Sequence, residues 1–155
     1  MPSSVRPAVL ADHAPIVHAI DAWWGGRRLA GLLPSLFLEN FAGTSLVAED
    51  DAGSLAGFLV GFDSPDRPGE AYVHFVGVRP DQRAAGLGRD LHERFARAAT
   101  ERGVHTVRCV TSTVNSASIA FHTAIGFEID GTDAPQIAEG IDDHDGHVRF
   151  VRRLT

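Results

Sequence analysis

The sequence predicts one α/β domain built on a mixed sheet, with antiparallel strands first, a central parallel pair after them and helices flanking both. Three observations predict it. Two apolar runs, Ser45 to Glu49 and Leu55 to Phe62, are separated by Asp50-Asp51-Ala52-Gly53-Ser54, the composition of a hairpin loop. A third apolar run, Ala71 to Val78, leads through a glycine-rich turn into a segment of helical periodicity. Strand-like and helix-like segments then alternate to the C-terminus, so the sheet is neither purely antiparallel nor, given the hairpin, purely parallel.

At the N-terminus, Val5 to Ala8 reads as a short strand, and Ala11 to Pro15 as the capped entry to a helix that runs to Trp23 and Trp24. Gly25-Gly26 ends it. A second short helix is expected from Pro34, with Leu33, Leu36, Phe37 and Phe41 as its apolar face. After the turn-rich stretch 63–69, Ala71 to Val78 reads as a buried central strand closed by Pro80. From Leu87 a helix follows, its apolar stripe read as Leu91, Phe95, Ala98 and Ala99, and Gly103 stops it. His105 to Thr111 is expected to be a strand. Asn115 caps a helix through Ile125, whose Gly126-Phe127 ending suits a left-handed turn followed by an apolar contact. Phe127 to Asp130 is then a strand, 131–146 a polar loop, and Val148 to Leu154 the last strand.

Composition narrows the function. At 155 residues, 44% hydrophobic, the chain can bury a full core without disulfides or metal. All 14 basic residues are arginine, so no lysine is present to form a Schiff base or act as a nucleophile. With a net charge of -6 the chain is not expected to hold nucleic acid through phosphate contacts, and an amine-bearing small molecule suits it better. A lone cysteine, no leader-like start and no apolar run of membrane-spanning length lead to the expectation of a cytoplasmic protein that does not cross a membrane.

The chemistry-bearing motif is Arg83-Ala84-Ala85-Gly86-Leu87-Gly88, which joins the central strand to the helix. A glycine-rich turn at a helix start exposes several backbone N–H groups together with the positive end of the helix dipole, and so can bind a diphosphate without side-chain charge. The dinucleotide fingerprint fails because its third glycine position is Leu91, and the nucleoside-triphosphate loop fails for want of a lysine. Taken alone, the turn also allows the lesser reading of a tight strand-to-helix corner with no ligand.

Arg83, Gly86 and Gly88 fit the main motif of the GCN5-related N-acetyltransferase (GNAT) family, which the second half of this chain resembles. Val76-Gly77-Val78-Arg79-Pro80 is similar to that family's fourth strand and turn, and Asn115 to His122 with Gly126-Phe127 to its second motif. The resemblance implies acetyl-coenzyme A as co-substrate. It further implies that Val76, Gly77 and Val78 hold the acetyl and pantetheine portions, that the amides of Arg83, Ala84, Ala85, Gly86, Leu87, Gly88 and Arg89 hold the pyrophosphate, and that Asn115, Ser118 and Phe121 border the same cleft.

Transfer of an acetyl group to an amine needs a neutral amine, a stabilised oxyanion and a proton for the departing thiolate. Strict alternation puts Tyr72, His74, Val76 and Val78 on one strand face and Val73 and Phe75 on the other, unless a bulge intervenes. His74 then precedes the acetyl site, either as the base that takes the ammonium proton or as a half-buried histidine satisfied by a carbonyl. His122 stands where relatives commonly carry tyrosine, and is expected to protonate the thiolate, to hydrogen-bond the sulfur, or to pack. Tyr72 is the only tyrosine and the alternative proton donor.

The expected activity is therefore acetylation of a primary amine on a small molecule, amino acid or peptide by direct attack. A non-catalytic acyl-coenzyme A sensor, or an enzyme acting on protein lysines or termini, is the alternative. Of Trp23 and Trp24, one is expected to pack and the other to stay available to the acceptor; Arg27 and Arg28 are expected to be solvated. The 142–147 segment carries metal-capable side chains at a spacing that fits neither a calcium loop nor a zinc site, so no metal is expected. Cys109 reads as a buried thiol, and a homodimer formed through a sheet edge or the last strand is one expected assembly.

Overall fold

Strand β1 (Ser4–Pro7) is short, and the chain leaves it through a 3-10 turn at Leu10–Asp12 into α1 (His13–Trp23). The structure, a computed structural model, describes residues 4–25, 29–133, 136–138, 141–143 and 146–154. Gly26, Arg27, Arg28, His144 and Asp145 lie outside the described residues, and with them part of the double glycine, the arginine pair and the metal-capable segment. Helix α2 (Leu36–Phe41) follows as expected, then β2 (Leu46–Glu49) and β3 (Leu55–Asp63), paired antiparallel across the anticipated hairpin. The Asp50 carboxylate accepts from the N–H groups of Ala52 and Ser54, the local turn bonding that makes this loop tight.

Strand β4 (Glu70–Val78) precedes the glycine-rich turn and α3 (Leu87–Glu101), and β5 (Thr106–Ser112) precedes α4 (Ser116–Ala124). The chain ends with β6 (Glu128–Asp133), β7 (Gln136–Ala138), β8 (Ile141–Asp143) and β9 (His147–Arg153). Seven strands form one sheet in the order β1-β2-β3-β4-β5-β9-β6, and β4–β5 is its parallel pair. Residues 131–146 are therefore not simply a loop: β6 runs on to Asp133, and β7 and β8 make a separate small hairpin. The last strand lies inside the sheet between β5 and β6, so it offers no free edge for a second copy to pair with.

The sheet is covered differently on its two faces. One core gathers Leu59, Leu87, Leu91, Phe95, Val107, Phe127 and Phe150 beneath α3 and α4. The other gathers Ile16, Ile20, Trp23, Leu38, Phe58 and Val60 beneath α1 and α2. Each fully buried side chain of this size contributes roughly 1.5–3 kcal/mol. The first lobe is pinned by Arg6, whose guanidinium makes two 2.8 Å bonds to Asp12 and one of 2.7 Å to Glu49. That guanidinium holds the Asp12 carboxyl below its ordinary range.

Two expectations about faces need correction. The stripe of α3 is Leu87, Leu91, Phe95 and Ala99, extended on one side by Gly88, His92 and Ala96, while Ala98 points to solvent. On β4 the alternation breaks, because β3 pairs Val60 with Phe75 but Gly61 with Val73, leaving His74 as an extra residue in a bulge. Ala71 and Val73 before the bulge, and Val76 and Val78 after it, therefore meet the same α3-side core, while Phe75 joins the α1-side core. Tyr72 packs beside Phe62 and does not share a face with Val76.

His92 is 2% exposed and its Nε2 atom has no hydrogen-bond partner among the described residues. Burial, helped by His122 and Arg152, lowers its pKa to about 3. Between the ordinary histidine value and about 3, the unfolded chain binds a proton that the folded chain refuses, so stability falls as pH falls through that window. We predict that urea unfolding loses about 2 kcal/mol from this group on going from about pH 7 to about pH 5. His92→Leu should lose most of that difference; an unchanged slope in the variant would assign it to other groups.

Candidate active site

The parallel pairing of β4 and β5 is brief: Glu70, Ala71 and Tyr72 lie opposite Thr106, Val107 and Arg108, and beyond them the strands part. β4 continues to Val78 and β5 to Ser112, so a wedge opens between their C-terminal halves. The Arg79 N–H donates to Ala56 O on β3 at 2.9 Å. Alternation along an antiparallel ladder then turns the N–H and C=O groups of Val76 and Val78 away from β3 and into the wedge. These polar groups face the place where a strand would otherwise pair; Val78 O is taken by Arg83, and the N–H and C=O of Val76 and the N–H of Val78 face the gap.

At the open end of the wedge sits the start of α3. A 3-10 turn at Pro80–Ala85 leads to Gly86 at φ 80°, a left-handed conformation that favours glycine, and the next residues begin the helix. The N–H groups of Leu87, Gly88 and Arg89 lie in the first turn and have no intrahelical acceptor. Gly88 is required by proximity: a Cβ there would lie 3.1 Å from the Phe121 ring and 3.6 Å from Val78 Cγ2. β4, the start of α3 and α4 thus converge on one glycine.

The turn is held by arginines acting on backbone and carboxylates. Arg79 bonds Asp81 at 2.7 Å, Asp50 at 3.1 Å and Leu55 O at 3.0 Å, fixing the corner between strand and turn. Arg83 donates to Val78 O at 3.1 Å and to Trp23 O at 2.5 Å, tying the end of α1 to the end of β4. Ala84 and Ala85 complete the turn. Arg89 reaches Ala124 O at the end of α4 at 3.4 Å. The guanidinium groups of Arg83 and Arg89 thus serve the frame, and the polar groups left without an intrahelical partner at the start of α3 are backbone amides.

In the second motif, Asn115 caps α4 by accepting from the Ser118 N–H at 3.1 Å. His122 Nδ1 donates to Ser118 O at 2.7 Å, and its ring stacks on Phe150 with centroids 5.0 Å apart. The imidazole is 9% exposed and burial lowers its pKa. His74 lies with the other lobe: its Nε2 donates to Leu32 O and its ring stacks on Phe37 with centroids 4.1 Å apart. Trp23 is buried on Phe58, whereas half-buried Trp24 meets Phe75 edge-on and covers Gly77, where a Cβ would come within 2.8 Å of its ring. Cys109 is buried and its thiol is pushed up to about 12, leaving no thiolate at neutral pH.

The structure thus brings Val76, Val78, Gly86, Leu87, Gly88 and Phe121 together around the wedge, and it separates His74 from His122 across the sheet. Two features carry no local sequence signal. His92 sits on an apolar helix stripe, where a histidine reads as an interruption. A cavity of about 290 Å³ at the closed end of the wedge draws on Phe62, Tyr72, Val110 and three arginines from distant segments. Among the described residues no cluster of three or more metal-capable side chains forms, and no helix is long and apolar enough to cross a membrane.

Comparison with known proteins agrees with this geometry. An L-methionine sulfoximine/L-methionine sulfone acetyltransferase of Pseudomonas aeruginosa is 38% identical over 98 residues, covering 61% of this chain and 55% of that protein. An L-2,4-diaminobutyric acid acetyltransferase of Nocardia farcinica is 34% identical over 90 residues, covering 58% of this chain and 46% of that one. The chain spans about half the length of these curated relatives. Among solved structures, a GNAT superfamily phosphinothricin acetyltransferase from Sinorhizobium meliloti in complex with AcCoA superposes with a TM-score of 0.77 at 22% identity, over 99% of this chain and 89% of that one. The family model described as Acetyltransferase (GNAT) family matches residues 14–127, and with the wedge, the turn and the second motif in their expected order, the chain belongs to the GNAT acetyltransferase family.

Proposed function

We propose that the chain is an N-acetyltransferase that moves the acetyl group of acetyl-coenzyme A to a primary amine of a small molecule, amino acid or peptide. The observation that carries this reading is the wedge, with the backbone of Val76 and Val78 turned into it and the first turn of α3 at its mouth. The N–H groups of that first turn suit the pyrophosphate, and the β4 backbone suits the amide-bearing pantetheine arm as a substitute strand. A member of the family with this fold holds AcCoA in its solved structure, and relatives in sequence are named for acetylating amino acids and their analogues. Acetyl-coenzyme A as donor also favours the cytoplasm as the place of reaction.

In the reaction, the neutral amine nitrogen attacks the thioester carbon, an N–C bond forms as the C–S bond breaks, the nitrogen gives up a proton and the thiolate takes one. Amides from β4 are the proposed donors to the developing oxyanion, and alignment of the two reactants supplies much of the acceleration. His74 is the proposed proton acceptor: with Nε2–H spent on Leu32 O, its Nδ1 lone pair remains. Tyr72 is the proposed donor to the thiolate, because burial raises its phenol and keeps it protonated, and its hydroxyl has no partner among the described residues. His122 is assigned a positioning role, since burial keeps it neutral and its only N–H is bound to Ser118.

Tyr72→Phe is expected to lower kcat by roughly 100-fold, whereas His122→Phe leaves it within a few-fold. The reverse ranking, measured by thiol release, would return the acid role to His122. His74→Ala should slow turnover far more at low pH, where the amine needs a base, than at high pH. Gly88→Val, which drives a branched side chain against Phe121, should weaken acetyl-coenzyme A binding by more than about tenfold at a folding cost of about 1–3 kcal/mol. Binding unchanged in calorimetry would remove the α3 turn as the cofactor site.

A further inference from the structure

The cavity of about 290 Å³ opens on the sheet face that α1 and α2 leave bare, beside the point where β4 and β5 part. Tyr72, Arg108 and Val110 approach from these two strands, and Arg149 lies opposite Val110 on β9. Its walls are mainly hydrocarbon, from Phe62, Tyr72 and Val110.

The charge of the lining is lopsided. Among the described residues, Arg67, Arg108 and Arg149 line the cavity against a single lining carboxylate, Glu70. Glu70 is itself engaged by Arg108 Nε at 2.5 Å, with Arg67 at 4.0 Å. From outside the cavity, Asp130 takes one edge of Arg108 and Asp133 one edge of Arg149. Arg108 is thereby committed on two sides. Among the described residues, Arg149, 53% exposed with one carboxylate at 3.1 Å, and Arg67, 60% exposed with only the 4.0 Å contact, keep most of their five donors unspent. Because each carboxylate described at this rim is already engaged by an arginine, a polycationic amine would find none of them free there, whereas a ligand bearing a carboxylate could take the remaining arginine donors.

We propose that this cavity is the acceptor subsite for an α-amino acid with an uncharged, largely apolar side chain, its carboxylate held by Arg149 and Arg67 and its amine turned toward the wedge. The proposal rests on the acetyltransferase reading and narrows it. Phe62, Tyr72 and Val110 receive the side chain, and the closed end of the wedge sets the amine beside the acetyl group.

The test uses the full chain and begins with calorimetric binding of acetyl-coenzyme A. Thiol release is then followed with methionine, leucine and phenylalanine, with the amines left when each loses its carboxyl group, and with a polycationic aminoglycoside. The amino acids should show kcat/KM at least about tenfold above their decarboxylated amines, and the aminoglycoside should be poorest. In R149Q/R67Q the amino-acid to amine ratio of kcat/KM should fall by roughly tenfold, with the loss in KM. Equal use of amines with and without a carboxylate, or an unchanged ratio in the variant, would overturn the proposal while leaving the acetyltransferase standing. Should acetyl-coenzyme A not bind, the acetyltransferase reading falls, and direct titration with methionine still decides the cavity: binding that R149Q/R67Q loses supports it, and no binding overturns it.

Discussion

The constraint on which this molecule turns is the early end of the parallel pairing between β4 and β5. Backbone hydrogen-bonding groups are obligatory, and a central strand that loses its neighbour must find other partners for them. Here Arg83 takes Val78 O, and the groups left are the N–H and C=O of Val76 and the N–H of Val78, in the middle of the sheet, where a water-filled gap would otherwise be a defect. The wedge is stable because both walls are anchored on their far sides, β4 by its long pairing with β3 and β5 by its full pairing with β9. The defect is thereby localised to one cleft that a ligand with its own amides can fill.

Around that cleft the fold commits Arg79, Arg83 and Arg89 to framing and leaves backbone amides without intrahelical partners at the start of α3. Arg79 and Arg83 bond to carbonyls and carboxylates of the strand–turn corner, so the amides at the start of α3 are held in place before any anion arrives. Preorganisation of this kind costs nothing at the moment of binding. In the proposed function, it is how a chain without lysine and with a net charge of -6 would hold a polyanionic nucleotide.

Much of the architecture was legible in the sequence because local patterns agree with the tertiary result. The hairpin at 50–54, the glycine-rich turn into α3, the capping Asn115 and the Gly126 ending all stand where residue chemistry alone placed them. What was not legible depends on pairing across the sheet. The bulge at His74 is defined by β3, so strand alternation read within β4 put Tyr72 and Val76 on one face. His92 was passed over, and exposed Ala98 taken for core, because a buried imidazole scores as polar while an alanine scores as apolar whatever its direction. The amide wall and the α3 turn were accessible as motifs; the arginine-rimmed cavity was not, because Arg67, Arg108 and Arg149 meet only once β9 has inserted beside β5.

The bulge also has a consequence for how this strand tolerates change in length. With His74 present, two apolar phases of opposite parity are spliced into one continuous β4, and each serves the same helix. Deleting that one residue would leave every other side chain intact yet slip the frame, so that either Ala71 and Val73 or Val76 and Val78 would be turned out of the core beneath α3. The position behaves as a punctuation mark in the chain, whose presence matters to the sheet independently of which side chain it carries.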